Sequence, residues 1–173
     1  IPYTGAGENR KEASKILSFV IGGRKIAIVS ATQIERATKY TKEATETEPG
    51  VLKTLNPAAF LEVIREADAT SDYVIVEVHW GTEGSLHEEK SQRLLAELYA
   101  EAGADAVIGG HPHRLQGCGF TDGVPVAYSL GNFWFSTGTL YTTLAKITIT
   151  EDGAVTLSYV PCIQKGLVTS ILT

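Results

Sequence analysis

The chain has 173 residues, about the length of one domain, and its 43% hydrophobic and 20% charged content is that of an ordinary globular protein. A net charge of −5 excludes a nucleic-acid binder that works by neutralising phosphates, which needs clustered Lys and Arg. No apolar run approaches the roughly 20 residues that span a bilayer, no stretch reads as a signal peptide, and Cys118 and Cys162 are too few for a disulfide scaffold and match no zinc spacing.

With no methionine and an opening of Ile1-Pro2-Tyr3, the chain reads as a mature product or as one whose N-terminal part lies elsewhere. Residues 7–15 are polar and helix-compatible. Residues 16–21 and 25–30 are β-rich runs separated by Gly22-Gly23, a pair that marks a hairpin turn. Residues 33–49 carry Thr, Lys and Glu without apolar periodicity and read as a surface loop or lid. Asn56-Pro57 opens a helix, Asn as N-cap and Pro in the first helical position. Phe60, Val63, Ile64 and Ala67 form its apolar face. Residues 73–78 are a β-branched run of the kind buried on both faces of a parallel sheet. Glu77 interrupts that run and is expected to pair structurally. His79-Trp80-Gly81-Thr82-Glu83 follow at once. Ser85 with Glu88 has a capping-box spacing. The helix predicted from it carries His87 in its first turn, presents Leu94, Leu95, Leu98 and Ala102 on one side, and stops at Gly103. A second buried strand, 106–108, leads into Gly109-Gly110-His111-Pro112-His113. Strand, helix and strand make a βαβ unit with a right-handed crossover. Beyond Arg114, residues 115–120, 124–129, 140–150 and 154–164 are β runs, with Asp122-Gly123 and Asp152-Gly153 as hairpin turns. The predicted architecture is α/β turning into antiparallel β. Both cysteines are expected to be buried, with a single bridge open to an exported protein.

In open α/β sheets, ligands bind beyond the carboxyl ends of the strands, where His79, His111 and His113 stand. A strand spacing near 4.8 Å brings the ends of neighbouring strands within reach of one another. In an extended segment, residues two apart project to the same side, and Pro112 biases His111 toward extended geometry. His111 and His113 can then approach one metal, or a metal and an anionic substrate group; imidazole suits Zn, Fe and Ni. The alternative is a set of structural histidines. Glu83, four residues after His79, can ligate a metal, act as general acid or base, or be solvated. Asp105 begins its strand and lies at the opposite end. Gly109-Gly110 allows close approach of backbone or ligand. Asn132 can place its amide in a site, whereas Phe133, Trp134 and Phe135 read as core rather than pocket wall. Nucleophile elbow, phosphate-cradling Gly-Lys motif and dinucleotide fingerprint are all missing.

Four phrases in order resemble the CapA family: His79-Trp80-Gly81-x-Glu83; Ala102-Gly103-Ala104-Asp105-x-Val107-Ile108-Gly109-x-His111-Pro112-His113; Leu115-Gln116-Gly117; and Tyr128-Ser129-Leu130-Gly131-Asn132-Phe133. Gly5-Ala6-Gly7-Glu8-Asn9 resembles a phrase part-way along that family's domain. Gly110 and Arg114 depart from it, standing where another His and an apolar residue are common. The resemblance implies an α/β, calcineurin-like metallophosphatase fold of stacked mixed β-sheets flanked by helices. It also implies that residues 1–173 are the C-terminal part of a single CapA-type domain, incomplete at the N-terminus. The implied function is synthesis or export of a poly-gamma-glutamate capsule, outside the cytoplasmic membrane and attached to it through a segment not in this sequence. The implied roles are metal ligation for His79, His111 and His113, catalysis for His113 and Glu83, and substrate binding for Asn132. The cofactor implied is a divalent metal, Zn, Mn or Fe. Partners implied are the missing N-terminal half or a second copy, and the capsule-synthesis machinery, with no nucleic acid. A metal-dependent phosphoesterase and a non-catalytic polymer-binding or assembly subunit are the alternative readings.

Overall fold

Paired glycines, β-branched runs and two amphipathic helices set the elements, and the structure, a computed structural model, describes residues 1–33, 41–135 and 137–172. In chain order they are β1 (Ala6–Gly7), α1 (Arg10–Ala13), β2 (Leu17–Ile21), β3 (Arg24–Thr32), β4 (Gly50–Val51), α2 (Ala58–Thr70), β5 (Tyr73–His79), α3 (Lys90–Glu101), β6 (Ala106–Gly110), β7 (Cys118–Thr121), β8 (Val124–Ala127), β9 (Thr139–Ile149), β10 (Val155–Lys165) and β11 (Val168–Ile171). A six-stranded sheet runs β2-β3-β5-β6-β8-β7. Its four central strands are parallel, and β2 and β7 join its edges antiparallel through hairpins. A separate antiparallel sheet has the order β11-β10-β9, and β1 pairs with β4. The expected α/β architecture, with stacked sheets flanked by helices, is the one observed.

Alternation along β5 divides its neighbours. Val74, Val76 and Val78 belong to the main core with Phe60, Val63, Ile64 and Ala67 of α2. Tyr73, Ile75, Glu77 and His79 therefore point to the opposite face. The Gly22-Gly23 turn has φ of 59° and 79°, and Asp122-Gly123 has 48° and 83°, the left-handed pair that a two-residue hairpin requires. Near the start, Asn9 caps α1 by accepting the Glu12 N–H at 3.0 Å.

Several local expectations are corrected. Ser85 does not cap α3: its Oγ bonds the N–H and carbonyl of His87 at 3.3 and 2.7 Å, a local turn that delays the helix. The cap is the Glu89–Gln92 box, so His87 lies in the preceding loop. The helix accordingly buries Gln92, Leu95, Ala96 and Tyr99 and leaves Leu94 exposed. The run predicted from residue 115 begins as a strand only at Cys118, with Leu115 making an isolated bridge to Leu130. Both cysteines are free, but only Cys162 is buried; Cys118 is exposed because β7 is an edge strand. Of the predicted loop at 33–49, residues 34–40 lie outside the described residues. The rest is mostly exposed and leads into β4.

Candidate functional site

Pairing of β5 with β6 places His79 opposite Gly110 at the carboxyl ends of two parallel strands. His111 is the next residue. Its Nδ1 lies 3.0 Å from His79 Nε2, so one of the two nitrogens carries the shared proton. The rings cross at 62° with centroids 4.7 Å apart. The His113 ring lies 5.8 Å from that of His111. On its other side, His113 Nδ1 is 2.6 Å from Asn132 Oδ1. An amide oxygen only accepts, so His113 Nδ1 carries hydrogen and, in the neutral ring, Nε2 presents its lone pair. Phe135 stacks on the same ring at 4.2 Å. Thus His79, His111, His113 and Asn132 come together. Glu83 is exposed on the loop and has no hydrogen bond or ion pair to them among the described residues.

The backbone here differs from the extended reading. His111 has φ of 101° and His113 of 57°, because β6 ends at Gly110 and the chain turns sharply. Such conformations cost on the order of 1–3 kcal/mol each in a residue other than glycine and persist only where the surroundings enforce them. The turn is held on both flanks: Gly84 N–H donates to Pro112 O at 2.8 Å, Trp80 N–H to Gly110 O at 3.0 Å, and Leu130 N–H to Gly109 O at 3.3 Å.

Beneath the histidines, Trp80 is fully buried. Its indole N–H donates to Tyr128 O at 2.9 Å, and its ring stacks with Tyr99 and Tyr128 at 6.2 and 6.0 Å. Gly109 passes so close that a Cβ there would overlap Tyr128 O and Trp80 Nε1. An amide chain, buried at Gln92 and half-buried at Gln116, supports the loop between β5 and α3. Gln92 Oε1 accepts the Glu89 N–H at 2.9 Å and its Nε2 donates to Gln116 Oε1 at 3.0 Å. Gln116 in turn donates to Ser85 O and His87 O. Sequence reasoning missed Gln92 and met Gln116 only within the Leu115-Gln116-Gly117 phrase, although Gln92 shares the helix face of Leu95 and Tyr99. A polar residue on an apolar face is the signal that marks it.

Burial, followed by the charges of His111 and His113, pushes the His79 pKa down to about 4, so this ring is neutral at pH 7. At the far end of β6, Asp105 accepts the Val74 N–H at 2.7 Å and burial raises its carboxyl. Glu77 does not pair as expected: it is exposed and has no partner among the described residues, because its face of β5 opens on a cleft. Phe133, Trp134 and Phe135 are 57%, 66% and 57% exposed rather than core, since this segment runs over the rim between sheets. Among the described residues, no group of three His, Cys, Asp or Glu side chains is arranged to hold a metal ion.

Relatives of this chain carry the same region within longer proteins. It is 34% identical over 174 residues to the capsule biosynthesis protein CapA of Bacillus anthracis, which covers 96% of this chain and 41% of that protein. It is 37% identical over 139 residues to the PGA biosynthesis protein CapA of Bacillus subtilis, covering 80% and 36%. The chain thus spans about two fifths of the length of these curated relatives. In three dimensions it is similar, with a TM-score of 0.54 and 16% identity, to a hypothetical protein from Thermus thermophilus, over 87% of this chain and 62% of that one. At that identity the likeness speaks for the fold alone. Residues 1–137 match the model of the bacterial capsule synthesis protein PGA_cap, and the chain belongs to that family.

Proposed function

We propose that the chain contributes the histidine side of a divalent-metal site to a capsule-synthesis protein that works on poly-gamma-glutamate outside the cytoplasmic membrane. The supporting observation is the 3.0 Å separation of His79 Nε2 and His111 Nδ1. Two imidazole nitrogens bound to one zinc ion at about 2.0–2.1 Å stand roughly 3.0–3.4 Å apart, so this pair suits a shared ion. His113, with its proton held on Nδ1 by Asn132, turns Nε2 into a further donor or a proton acceptor. A bound divalent ion supplies Lewis acidity toward a phosphoryl or carbonyl oxygen. His79, neutral through burial, ligates without first losing a proton. Glu83 stays a candidate acid or base through its loop, which is tied to Pro112 by the Gly84 bond. Carboxylate ligands come from outside this region, as does membrane attachment; no described helix is long and apolar enough to cross a membrane.

A second reading, a binding or assembly role without catalysis, is favoured by the lack of a three-donor cluster among the described residues. Elemental analysis of the full-length protein separates the two. His111→Ala and His113→Ala should each lose bound metal, His111→Ala with unfolding stability changed by about 1 kcal/mol or less and His113→Ala with a loss of about 1–3 kcal/mol, because the oxygen of buried Asn132 loses its donor. Hydrolysis of phosphodiester and phosphomonoester substrates should fall in parallel. Unchanged metal content in both variants leaves structural histidines, and metal without hydrolysis leaves the binding role.

A further inference from the structure

His79 differs from His113 in what fixes its ring. His113 has its Nδ1 tied to Asn132. The one ring nitrogen of His79 with a hydrogen-bond partner among the described residues is Nε2, against His111. Imidazoles that hold a metal ordinarily donate their other N–H to an acceptor that orients the ring. Without that acceptor at Nδ1, the aim of the His79 ring depends on where its own main chain is held.

That main chain is held from both neighbouring strands. On the β6 side, Trp80 N–H donates to Gly110 O at 3.0 Å. On the β3 side, Gln33, the residue just past the strand, takes hold twice. Its main-chain N–H donates to His79 O at 2.8 Å, and its side-chain Oε1 accepts the Gly81 N–H at 3.3 Å. The second bond answers a need of the turn. Gly81 has a φ of 79°, so the chain leaves the sheet there, and its half-buried N–H requires an acceptor.

Gln33 is itself anchored. Thr32 stands opposite His79 in the parallel register, and on its other side its N–H donates to Leu52 O at 3.0 Å while its carbonyl accepts the Thr54 N–H at 2.9 Å. Thr54 in turn shares a buried 2.6 Å hydrogen bond with Tyr99, the ring on which Trp80 stacks. The bracket around His79 therefore rests on the core beneath the site. It does for His79, through the main chain, what Asn132 does for His113 through the ring.

We infer that Gln33 is a positioning residue for His79: its side-chain oxygen fixes the peptide between Trp80 and Gly81 and so maintains the 3.0 Å approach of His79 Nε2 to His111 Nδ1. This rests on the metal reading above, but its first readout needs no metal. The test uses the full-length protein and two variants. Gln33→Met keeps the length of the side chain and loses its acceptor; Gln33→Glu keeps both. With nitrogen-labelled histidine at pH 8 and no metal, Gln33→Met should displace the ring-nitrogen signals of His79 and leave those of His113 in place. Exchange of the Gly81 amide should quicken about fivefold, and Gln33→Glu should restore both. Zinc binding should weaken about tenfold in Gln33→Met and recover in Gln33→Glu. Unmoved His79 signals in Gln33→Met overturn the inference. So does zinc held equally by Gln33→Met and the parent, or a loss that Gln33→Glu does not restore, which makes Gln33 a packing residue. A parent that binds no zinc sinks the metal reading instead, and the His79 signals still decide the role of Gln33.

Discussion

The His79 ring is neutral because burial and two neighbouring imidazoles disfavour its charge, and that has a consequence for stability. Unfolded, the group titrates near 6.5; folded, near 4. Between those values the unfolded chain holds the extra proton, so stability falls as pH is lowered through this window and levels off below about 4. Denaturant melts across pH 7 to 4 should show this slope, and His79→Gln should flatten it. A slope unchanged in the variant would assign the effect to another group. Gly109 answers a different demand. Any Cβ there meets backbone and a buried indole that cannot withdraw. Gly109→Ala should destabilise by about 1–3 kcal/mol or more and shift the Trp80 fluorescence; a neutral melt would show that the strand can move aside.

Elements join at the loop between β5 and α3, where the helix cap and the site support share one residue. Gln92 closes the capping box and is held by Gln116, which braces the carbonyls of residues 85 and 87. Gln92→Ala removes a cap, typically about 1 kcal/mol, and leaves the half-buried Gln116 oxygen without its donor, about another 1–3 kcal/mol. A loss of about 2–4 kcal/mol is expected, with faster amide exchange at Gly84. If exchange at Gly84 does not change, the amide chain does not position the loop. At this scale the βαβ unit and the hairpins were legible in the sequence, because glycine pairs and β-branched runs act locally. The start of α3 was not. Ser85 and Glu89 both carry capping side chains, and only contact with Gln116 decides between them.

Across the whole molecule, Arg24 fastens the two sheets at the end of the cleft away from the histidines. Its guanidinium donates to Thr150 O at 2.7 Å and Glu151 O at 2.8 Å, from β3 to the β9–β10 hairpin, and lies over the Tyr73 ring. Arg24→Ala should cost about 1–3 kcal/mol, given that hydrogen bonds from a charged donor are the stronger kind. It should also raise amide exchange in residues 150–154 while leaving the β5–β6 pairing protected. Uniform loss of protection would mean that the sheets unfold as one unit regardless of this tie.

The residues by themselves determined the family resemblance, the alternation of strand and helix, and the placement of His79, His111 and His113 at strand ends, since these follow from local periodicity and from which residues border a strand. Tertiary structure alone decided the rest. It set the strained φ of His111 and His113, through bonds arriving from residues 84 and 130. It fixed the tautomer of His113, through an asparagine 19 residues away. It also left Glu77 and the aromatic run at 133–135 exposed, because whether a face is covered depends on how far one sheet extends over another, and no local pattern carries that distance.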